Sequence, residues 1–176
     1  MEKELEPRET VWDWIRTLIF AAVIAYLISH FVIGVVLVPT GSMIPTINIQ
    51  DRILSNRFIY HFREIRRGEI VLFYAPDKPG MIYVKRVIGL PGDEVVIKDG
   101  NLFINGQEIQ EDYLNEPMRG DFGPYLVPEG HYFMLGDNRN SSNDSRFWDN
   151  KYVSKDKIIG KAFFRIFPLN KMGFLR

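Results

Sequence analysis

A serine between two prolines is the first residue whose type and surroundings could support chemistry. The segment VPTGSMIPT (residues 38–46) places Gly41 and Ser42 between Pro39 and Pro45. Proline fixes one backbone dihedral angle and glycine permits unusual ones, so we expect a stiff loop that presents the serine hydroxyl. A serine held in this way is suited to nucleophilic attack. The same residues also form ordinary turns, so the segment alone does not identify a site.

The segment YVKRVIGLPGD (residues 83–93) contains a candidate base. Its Val and Ile content predicts a strand in which Lys85 and Arg86 point to opposite faces, so one of two adjacent cations must face the more apolar side. Arginine stays charged at any relevant pH and cannot act as a base. Lysine can, because burial lowers its pKa by up to roughly 3–5 units. The alternative is that Lys85 extends to solvent along its aliphatic stem.

A third segment, LGDNRNSSNDSR (residues 135–146), combines acids, arginines and serines directly after a predicted strand. Polar residues in this position commonly form turns. Salt bridges would account for Asp137, Asp144 and Arg146, and a serine that orients a neutral lysine amine would account for the rest. Asp137 and Asp144 could instead act as paired catalytic carboxylates, and this alternative stays open at the level of sequence.

Other chemistries find little support in the composition. The 176 residues include no cysteine, which excludes thiolate zinc sites and a cysteine nucleophile, and the formal net charge is zero, which gives no electrostatic reason to expect nucleic-acid binding. His61 and His131 lie in no recognisable triad motif. The sequence contains neither an H-E-x-x-H zinc motif nor a glycine-rich phosphate loop.

Taken together, the three segments resemble those of bacterial type I signal peptidases, Ser/Lys-dyad endopeptidases that remove signal peptides from exported preproteins. PTGSMIPT is similar to the family's nucleophile segment, YVKRVIGLPGD to its general-base strand and GDNRNSSNDSR to its C-terminal signature. A fourth segment, RRGEIVLF (residues 66–73), also matches. The order and approximate spacing agree, and the resemblance extends from the apolar N-terminal segment nearly to the end of the chain.

The resemblance implies a role for each matching residue. Ser42 corresponds to the nucleophile, Lys85 to the general base, and Ser142 to the serine that hydrogen-bonds the lysine amine and orients it. Thr40 corresponds to a hydroxyl residue that forms the oxyanion hole together with the Ser42 backbone N–H. Many members have serine at that position, and threonine retains the hydroxyl.

The remaining matches concern support of the site. Asp144 and Arg146 correspond to a structural ion pair beside it. Glu69 stands where the family often has aspartate, which bears on structure and not on the dyad. The chain also lacks the large inserted β region and the second membrane helix of some members. The family further implies substrates with small side chains at the −1 and −3 positions, and neither a metal nor an organic cofactor.

An apolar segment must position this site relative to a membrane. Residues 17–38, TLIFAAVIAYLISHFVIGVVLV, include no Asp, Glu, Lys or Arg. As a helix they would measure about 33 Å, against a hydrocarbon thickness of about 30 Å. Pro39 supports an end at Val38. We therefore predict an uncleaved transmembrane anchor at 17–38, with Ser42 close to the bilayer surface because four residues reach about 14 Å at most.

Positive charges favour one orientation of this anchor. Lys3, Arg8 and Arg16 precede it, against Arg52 and Arg57 on the other side. The predicted topology is a single pass through the bacterial cytoplasmic membrane with the N-terminus inside. The domains would be a cytoplasmic flank (1–16), the anchor (17–38) and an extracytoplasmic catalytic domain (39–176). The lipid bilayer is thus an expected partner, and the aromatic and basic segment 58–67 is a candidate for contact with it.

Beyond Pro39 the pattern is that of an antiparallel β domain. Short runs rich in Val, Ile and aromatic residues alternate with turn signals, and no helical periodicity is sustained. Asp99-Gly100 and Asn105-Gly106 are strong hairpin signals. The fold class is therefore mostly β, with an antiparallel catalytic domain after one transmembrane helix. The predicted strand regions are 68–74, 81–90, 93–109, 131–138 and 158–168.

Three other functions remain compatible with parts of this pattern. A specialised Ser/Lys processing peptidase, acting on a pilus or conjugation substrate, is not excluded by any residue. An autoproteolytic repressor-type Ser/Lys protease would share a related β fold, but such proteins are soluble and carry a DNA-binding domain. A non-catalytic membrane-tethered β binding domain would have no need for Ser42, Lys85 and Ser142 together.

Overall fold

The computed structural model describes residues 10–27 and 33–175. Within them lie one α-helix, α1 (Val11–Leu27), and twelve strands. The strands are β1 (Ile33–Leu37), β2 (Arg52–Asn56), β3 (Ile70–Tyr74), β4 (Ile82–Gly89), β5 (Glu94–Lys98), β6 (Asn101–Ile104), β7 (Gln107–Ile109), β8 (Phe122–Leu126), β9 (His131–Leu135), β10 (Val153–Ser154), β11 (Ile158–Phe167) and β12 (Gly173–Phe174). Short 3₁₀ turns occur at Ile59–His61, Arg139–Ser141, Lys155–Lys157 and Leu169–Lys171.

The strands form two sheets in which neighbouring strands are antiparallel. The larger sheet has the order β1-β2-β11-β3-β4-β9-β10, with β12 added to β11, and the smaller has the order β7-β6-β5-β8. The predicted mostly β, antiparallel fold is thereby confirmed. Both predicted hairpin turns are present, and Asp99 and Asn105 have positive φ values of 51° and 53°. Asp and Asn tolerate this left-handed conformation better than most residues, which is why these dipeptides predict tight turns.

The predicted bounds of the transmembrane helix, 17–38, are wrong. Helix α1 begins earlier, at Val11, where the Asp13 carboxylate accepts hydrogen bonds from the N–H and hydroxyl of Thr10. Residues 33–37 form strand β1, which pairs along its whole length with β2. A short apolar run cannot be assigned to helix or strand by periodicity, and the β-branched IGVVL sequence suits the sheet. No helix among the described residues is long and apolar enough to cross a membrane.

The start of the β domain changes as a result. The β domain includes Ile33–Leu37 and so begins before residue 39, and Val38 lies in its core with 3% of its surface exposed. The connection from any membrane segment to Ser42 is therefore longer than the four residues expected. Residues 28–32 of the predicted anchor and residues 1–9 of the predicted flank lie outside the described residues.

Strand β4 is the central element for the site because its residues are buried from Lys85 to Gly89. It pairs with β3 from Ile82 to Arg86 and with β9 from Arg86 to Gly89. Ile88 packs in the core cluster that joins the two sheets, whereas Val87 packs in a second cluster with Phe73 and Trp148. The two adjacent cations of β4, Lys85 and Arg86, are 4% and 2% exposed, so neither is solvated.

Glu69, which immediately precedes β3, joins three segments through its carboxylate. It accepts hydrogen bonds from Arg63 at 2.6 Å, Lys161 at 3.0 Å, Tyr60 at 3.0 Å and the Arg66 backbone N–H at 3.2 Å. Burial alone would raise the pKa of Glu69, but the hydrogen bonds from Arg63 and Lys161 outweigh it and lower the pKa to about 2. The carboxylate at this position therefore connects the 3₁₀ turn after β2 to β11.

We expect the stabilisation due to Glu69 to disappear as pH falls from the ordinary glutamate value of 4.5 towards about 2. A carboxyl whose pKa is lower in the folded than in the unfolded state stabilises the fold above the unfolded pKa and loses this effect on protonation. Urea unfolding of wild type and Glu69→Gln at several pH values should thus give curves that converge in acid. Glu64→Gln is the control, since the Glu64 carboxylate forms only an exposed ion pair, with Lys155, among the described residues. A constant difference between wild type and Glu69→Gln would contradict the assignment.

Candidate active site

A cavity of about 450 Å³ lies between the end of β1, the first half of β4 and the segments that hold Ser42 and Asn138. Its lining includes Thr40, Ser42 and Lys85. Three of the predicted site residues, which are distant in sequence, are thus brought to one cavity. His61 and His131 are absent from the lining, and each approaches a backbone carbonyl near its own position in the chain.

The serine loop (residues 39–46) is held by the residues that follow β9. The Asn138 backbone N–H donates to the Ser42 carbonyl at 3.0 Å, and the Asn138 side-chain amide donates to the Gly41 carbonyl at 3.0 Å. Met43, 1% exposed, anchors the loop in the core. Gly41 is not among the glycines with positive φ, so the loop needs no left-handed residue there. Ser42 remains half-buried and Thr40 is exposed, as expected for groups at a cavity wall and rim.

Lys85 is buried, and no counter-ion accompanies it in the part of the chain that the structure describes. Only 4% of its surface is exposed, and its ammonium nitrogen lies 5.8 Å from the centroid of the Tyr83 ring. Within residues 10–27 and 33–175, no carboxylate lies within ion-pair distance of Nζ. Burial lowers the pKa of Lys85 to about 8, although the nearby carboxylate of Asp144 acts in the opposite direction. At this pKa the amine is mostly protonated at pH 7, but its neutral form is readily accessible.

Arg86 is also buried, but its charge is compensated. Its Nε and Nη2 donate to the two carboxylate oxygens of Asp137 at 2.9 and 2.6 Å, and its Nη1 donates to the Gly68 carbonyl at 2.7 Å. The hydroxyl of Thr46 donates to the same carboxylate at 2.5 Å. The sequence placed one of two cations on an apolar face. In the structure both faces are buried, and the two cations differ in whether a carboxylate accompanies them.

Ser142 lies beside the serine loop, with Gly136 between them. A Cβ at Gly136 would clash with the Ser142 hydroxyl oxygen and with the Ser42 carbonyl oxygen, so a glycine is required at this close approach. The Ser142 hydroxyl is buried and makes no hydrogen bond within the part of the chain that the structure describes. Its donor and acceptor capacity is therefore unused by its neighbours.

Asp144 and Arg146 form a two-point ion pair at the end of the polar loop (residues 136–146). The Arg146 guanidinium donates to the Asp144 oxygens at 2.8 and 2.9 Å, and both side chains are almost fully buried. Asp144 also accepts the Gly136 backbone N–H at 3.1 Å, and Arg146 donates to the Arg139 carbonyl at 2.6 Å. The pair closes the loop around the glycine that contacts Ser42 and Ser142.

The geometry argues against paired catalytic carboxylates. Asp137 is engaged by Arg86 and Thr46, and Asp144 by Arg146, so each is held as a charged acceptor. Neither side chain lines the cavity that Ser42 and Lys85 share. Nor does any group of three or more His, Asp or Glu with metal-binding geometry occur in residues 10–27 and 33–175.

Sequence reasoning missed several residues around the site. Asp137 and Arg86 were noted individually, but their pairing across the sheet was not. Glu111 and Tyr113 were not considered, because they lie in the connection between two strands of the smaller sheet and carry no motif. Both contact Arg139, from which they are separated by 28 and 26 residues. The available signal was Arg139 in the polar loop. The nearby Asp137 was already accounted for by a salt bridge, so Arg139 indicated that another acid should be sought.

Comparison with known proteins agrees with this geometry. The family model described as "Signal peptidase, peptidase S26" matches residues 11–167. A probable signal peptidase I-2 from Synechocystis is 38% identical over 99% of this chain and 81% of its own length. Signal peptidase I from Bacillus licheniformis is 38% identical, covering 97% of this chain and 96% of its own.

A solved structure gives the same result. The crystal structure of a signal peptidase I from Enterococcus faecalis V583 is 36% identical, with a TM-score of 0.50, and covers 56% of this chain and 97% of that one. The family model extends over most of the sequence, including all of the predicted site residues. The chain therefore belongs to the peptidase S26 family of signal peptidases, serine endopeptidases that cleave signal peptides.

Proposed function

We propose that this chain is a membrane-anchored signal peptidase in which Ser42 is the nucleophile and Lys85 the general base. The observation that carries the proposal is the burial of Lys85, without a carboxylate partner among the described residues, in the wall of the cavity that Ser42 also lines. A lysine in this environment can be neutral at the pH at which it must accept a proton.

The reaction follows from these two groups. Neutral Lys85 accepts the hydroxyl proton as Ser42 Oγ bonds to the scissile carbonyl carbon. The resulting ammonium then donates this proton to the leaving amine as the peptide C–N bond breaks. Water attacks the acyl-enzyme while Lys85 accepts a proton from it, and the proton returns to Ser42 Oγ as the ester bond breaks. Ser142 is assigned the orienting role. Its buried hydroxyl makes no hydrogen bond to Lys85 or to any other described residue, so its acceptor capacity is available to the Lys85 amine.

Thr40 and the backbone N–H of Ser42 stabilise the oxyanion. Thr40 is exposed at the cavity rim, where its hydroxyl can turn towards the developing negative charge. One such donor contributes about 3 kcal/mol in comparable sites. The Asp144–Arg146 ion pair supports the arrangement by fixing the polar loop.

The substrate binds as an extended strand. Residues Ile82–Lys85 pair only with β3 among the described strands, and all of them line the cavity. An extended peptide can add to this open edge through backbone hydrogen bonds, with alternate side chains directed into the cavity. We propose that these are the small residues at the −1 and −3 positions of a preprotein signal peptide.

The apolar N-terminal segment anchors the enzyme in the bilayer. The apolar side chains of α1 are exposed, with values of 68% for Leu18, 59% for Ile19 and 68% for Phe20. A surface of this kind is suited to lipid, and Trp12 and Trp14 suit its interface with water. We propose a single-pass anchor in the bacterial cytoplasmic membrane with the N-terminus inside and the β domain on the outer face.

We further propose that Phe58 and Phe62 dock the β domain on lipid. The two rings pack edge to face and are 43% and 77% exposed. They follow Asn56, which pairs with Ile33, the first residue of β1. The aromatic pair thus lies at the same end of the sheet as Ile33, where the chain enters β1 from the N-terminal segment. Tyr60 of the same segment instead bonds to Glu69 and belongs to the fold.

Ser42→Ala and Lys85→Met should each lower cleavage of a preprotein by about 10³-fold or more, because each removes one half of the dyad. Lys85→Met retains the length and apolar stem of lysine, and unfolding curves check that the fold is kept. Lys78→Ala is the control, since Lys78 also lines the cavity but is exposed. If Lys85→Met keeps most of the wild-type rate, the assignment of the base is wrong.

The pH profile of kcat/KM should rise through about pH 8, because only the neutral form of Lys85 can accept the serine proton. The Asp77 carboxylate favours the protonated amine, so Asp77→Asn should move the midpoint to lower pH. The profiles can be recorded with a soluble peptide substrate in detergent. A flat wild-type profile in this range, or a midpoint that moves upward in Asp77→Asn, would contradict the assignment.

Replacing Phe58 and Phe62 by serine should slow cleavage of a preprotein inserted in liposomes while leaving cleavage of a soluble peptide in detergent unchanged. The loss reflects removal of apolar contact with lipid and not of catalytic groups. Leu169→Ser is the matched control, because Leu169 is 74% exposed but follows the far end of β11, where Phe167 pairs with Arg52. Equal liposome rates for wild type and the double variant would exclude this docking surface.

A further inference from the structure

We infer that Glu111 and Tyr113 are positioning residues that hold the polar loop against the Ser42 backbone. Both belong to the connection between β7 and β8 (residues 110–121), which are strands of the smaller sheet. Neither residue lines the cavity that holds Ser42 and Lys85. The inference rests on the proposed function of Ser42 and Lys85. It assigns to the smaller sheet a part in the chemistry of a site built on the larger one.

Glu111 forms a two-point ion pair with Arg139 of the polar loop. The Arg139 Nη1 and Nη2 atoms donate to the two carboxylate oxygens at 2.5 and 2.7 Å. The Arg139 side chain is 0% exposed and that of Glu111 is 6% exposed, so neither charge is compensated by water. The remaining Nε–H of Arg139 donates to the Gly136 carbonyl at 3.1 Å. Glu111 therefore holds the Arg139 guanidinium in place, and this guanidinium in turn holds Gly136 through its carbonyl.

Tyr113 links this ion pair to the second buried arginine. Its hydroxyl donates to Glu111 and accepts from Arg139 Nη2 at 3.3 Å. The face of its ring lies 3.9 Å from the guanidinium carbon of Arg86, which is the partner of Asp137. A ring stacked on a guanidinium restricts its orientation as well as attracting its charge. One aromatic residue thus contacts both arginines that hold the start of the polar loop.

The contacts continue from Gly136 to the nucleophile. The Gly136 Cα lies so close to the Ser142 hydroxyl and the Ser42 carbonyl that a Cβ would clash with both. Two residues later, the Asn138 N–H donates to the same Ser42 carbonyl at 3.0 Å. A displacement of Gly136 therefore alters the positions of Ser42 and Ser142 together.

Loss of the Glu111 charge would force such a displacement. Arginine cannot release its proton, so a buried Arg139 without its carboxylate must find new acceptors or admit water. Glutamine does not replace the carboxylate, because its amide has a single acceptor oxygen and its NH₂ group would face a donor. The Gly136 carbonyl, which already accepts from Arg139, is the nearest group that a shifted guanidinium would carry with it.

Steady-state cleavage of a preprotein by the full chain in detergent tests the inference. Glu111→Gln should lower kcat by about tenfold or more and leave KM nearly unchanged, because misplacement of reacting groups by a fraction of an ångström slows chemistry without weakening remote binding. Glu111→Asp, which retains the charge, should recover part of kcat. Glu116→Gln is the matched control in the same connection, since Glu116 and Arg119 form an exposed pair at 3.5 Å with 48% and 82% of their side chains accessible.

Tyr113→Phe keeps the ring on Arg86 and removes only the hydroxyl, so it provides a milder variant if Glu111→Gln does not fold. It should lower kcat by less than Glu111→Gln does and again leave KM unchanged. Active-site titration with a serine-acylating probe measures the folded, competent fraction, and the loss in kcat should persist per competent site. The inference is wrong if kcat per site in both variants equals that of Glu116→Gln, or if only KM changes. Ser42→Ala is measured in parallel. Its loss of activity tests the proposed dyad separately from the role of Glu111 and Tyr113.

Discussion

The constraint on which the site depends is the burial of one amine that no carboxylate of the described residues accompanies. Three arginines lie around the same loop, and each has its own acid: Arg86 with Asp137, Arg139 with Glu111 and Arg146 with Asp144. An arginine that lost its acid would remain charged, whereas a lysine can respond to burial by releasing its proton. The three arginines are paired, whereas burial of Lys85 is not offset by an ion pair among the described residues. Burial therefore favours the neutral form of Lys85, which its proposed role as a general base requires.

The same ion pairs define the shape of the site. All three converge on the residues between Gly136 and Arg146, and these residues contact the serine loop through backbone atoms and a glycine that admits no side chain. A buried ion pair contributes little net stability compared with an apolar pair of the same size, but removal of one partner is strongly unfavourable. The network therefore acts chiefly to select one loop conformation, which the proposed dyad of Ser42 and Lys85, on two distant segments, would need.

Much of this arrangement could be predicted from sequence, and the exceptions have physical causes. Strands β3 and β4 could be predicted because β-branched residues cluster there. The turns at Asp99 and Asn105 could be predicted because few residues adopt positive φ readily. The end of the N-terminal helix could not be predicted, because Ile33–Leu37 is as apolar as the residues that precede it. Only the pairing with β2 makes this segment a strand. Glu111 and Tyr113 act through contacts with Arg139 across 28 and 26 residues, a relation that no local pattern encodes.

The position of β1 has a mechanical consequence for the proposed membrane-anchored enzyme. Five residue pairs join β1 to β2 between Ile33, where the chain arrives from the N-terminal segment, and Leu37, where it leaves towards Ser42. A pull along the strand from its N-terminal end acts on this ladder in shear, so its hydrogen bonds share the load and none can open singly. If the N-terminal segment is anchored as proposed, a pull from the anchor would act on the sheet as a whole and not on the serine loop alone.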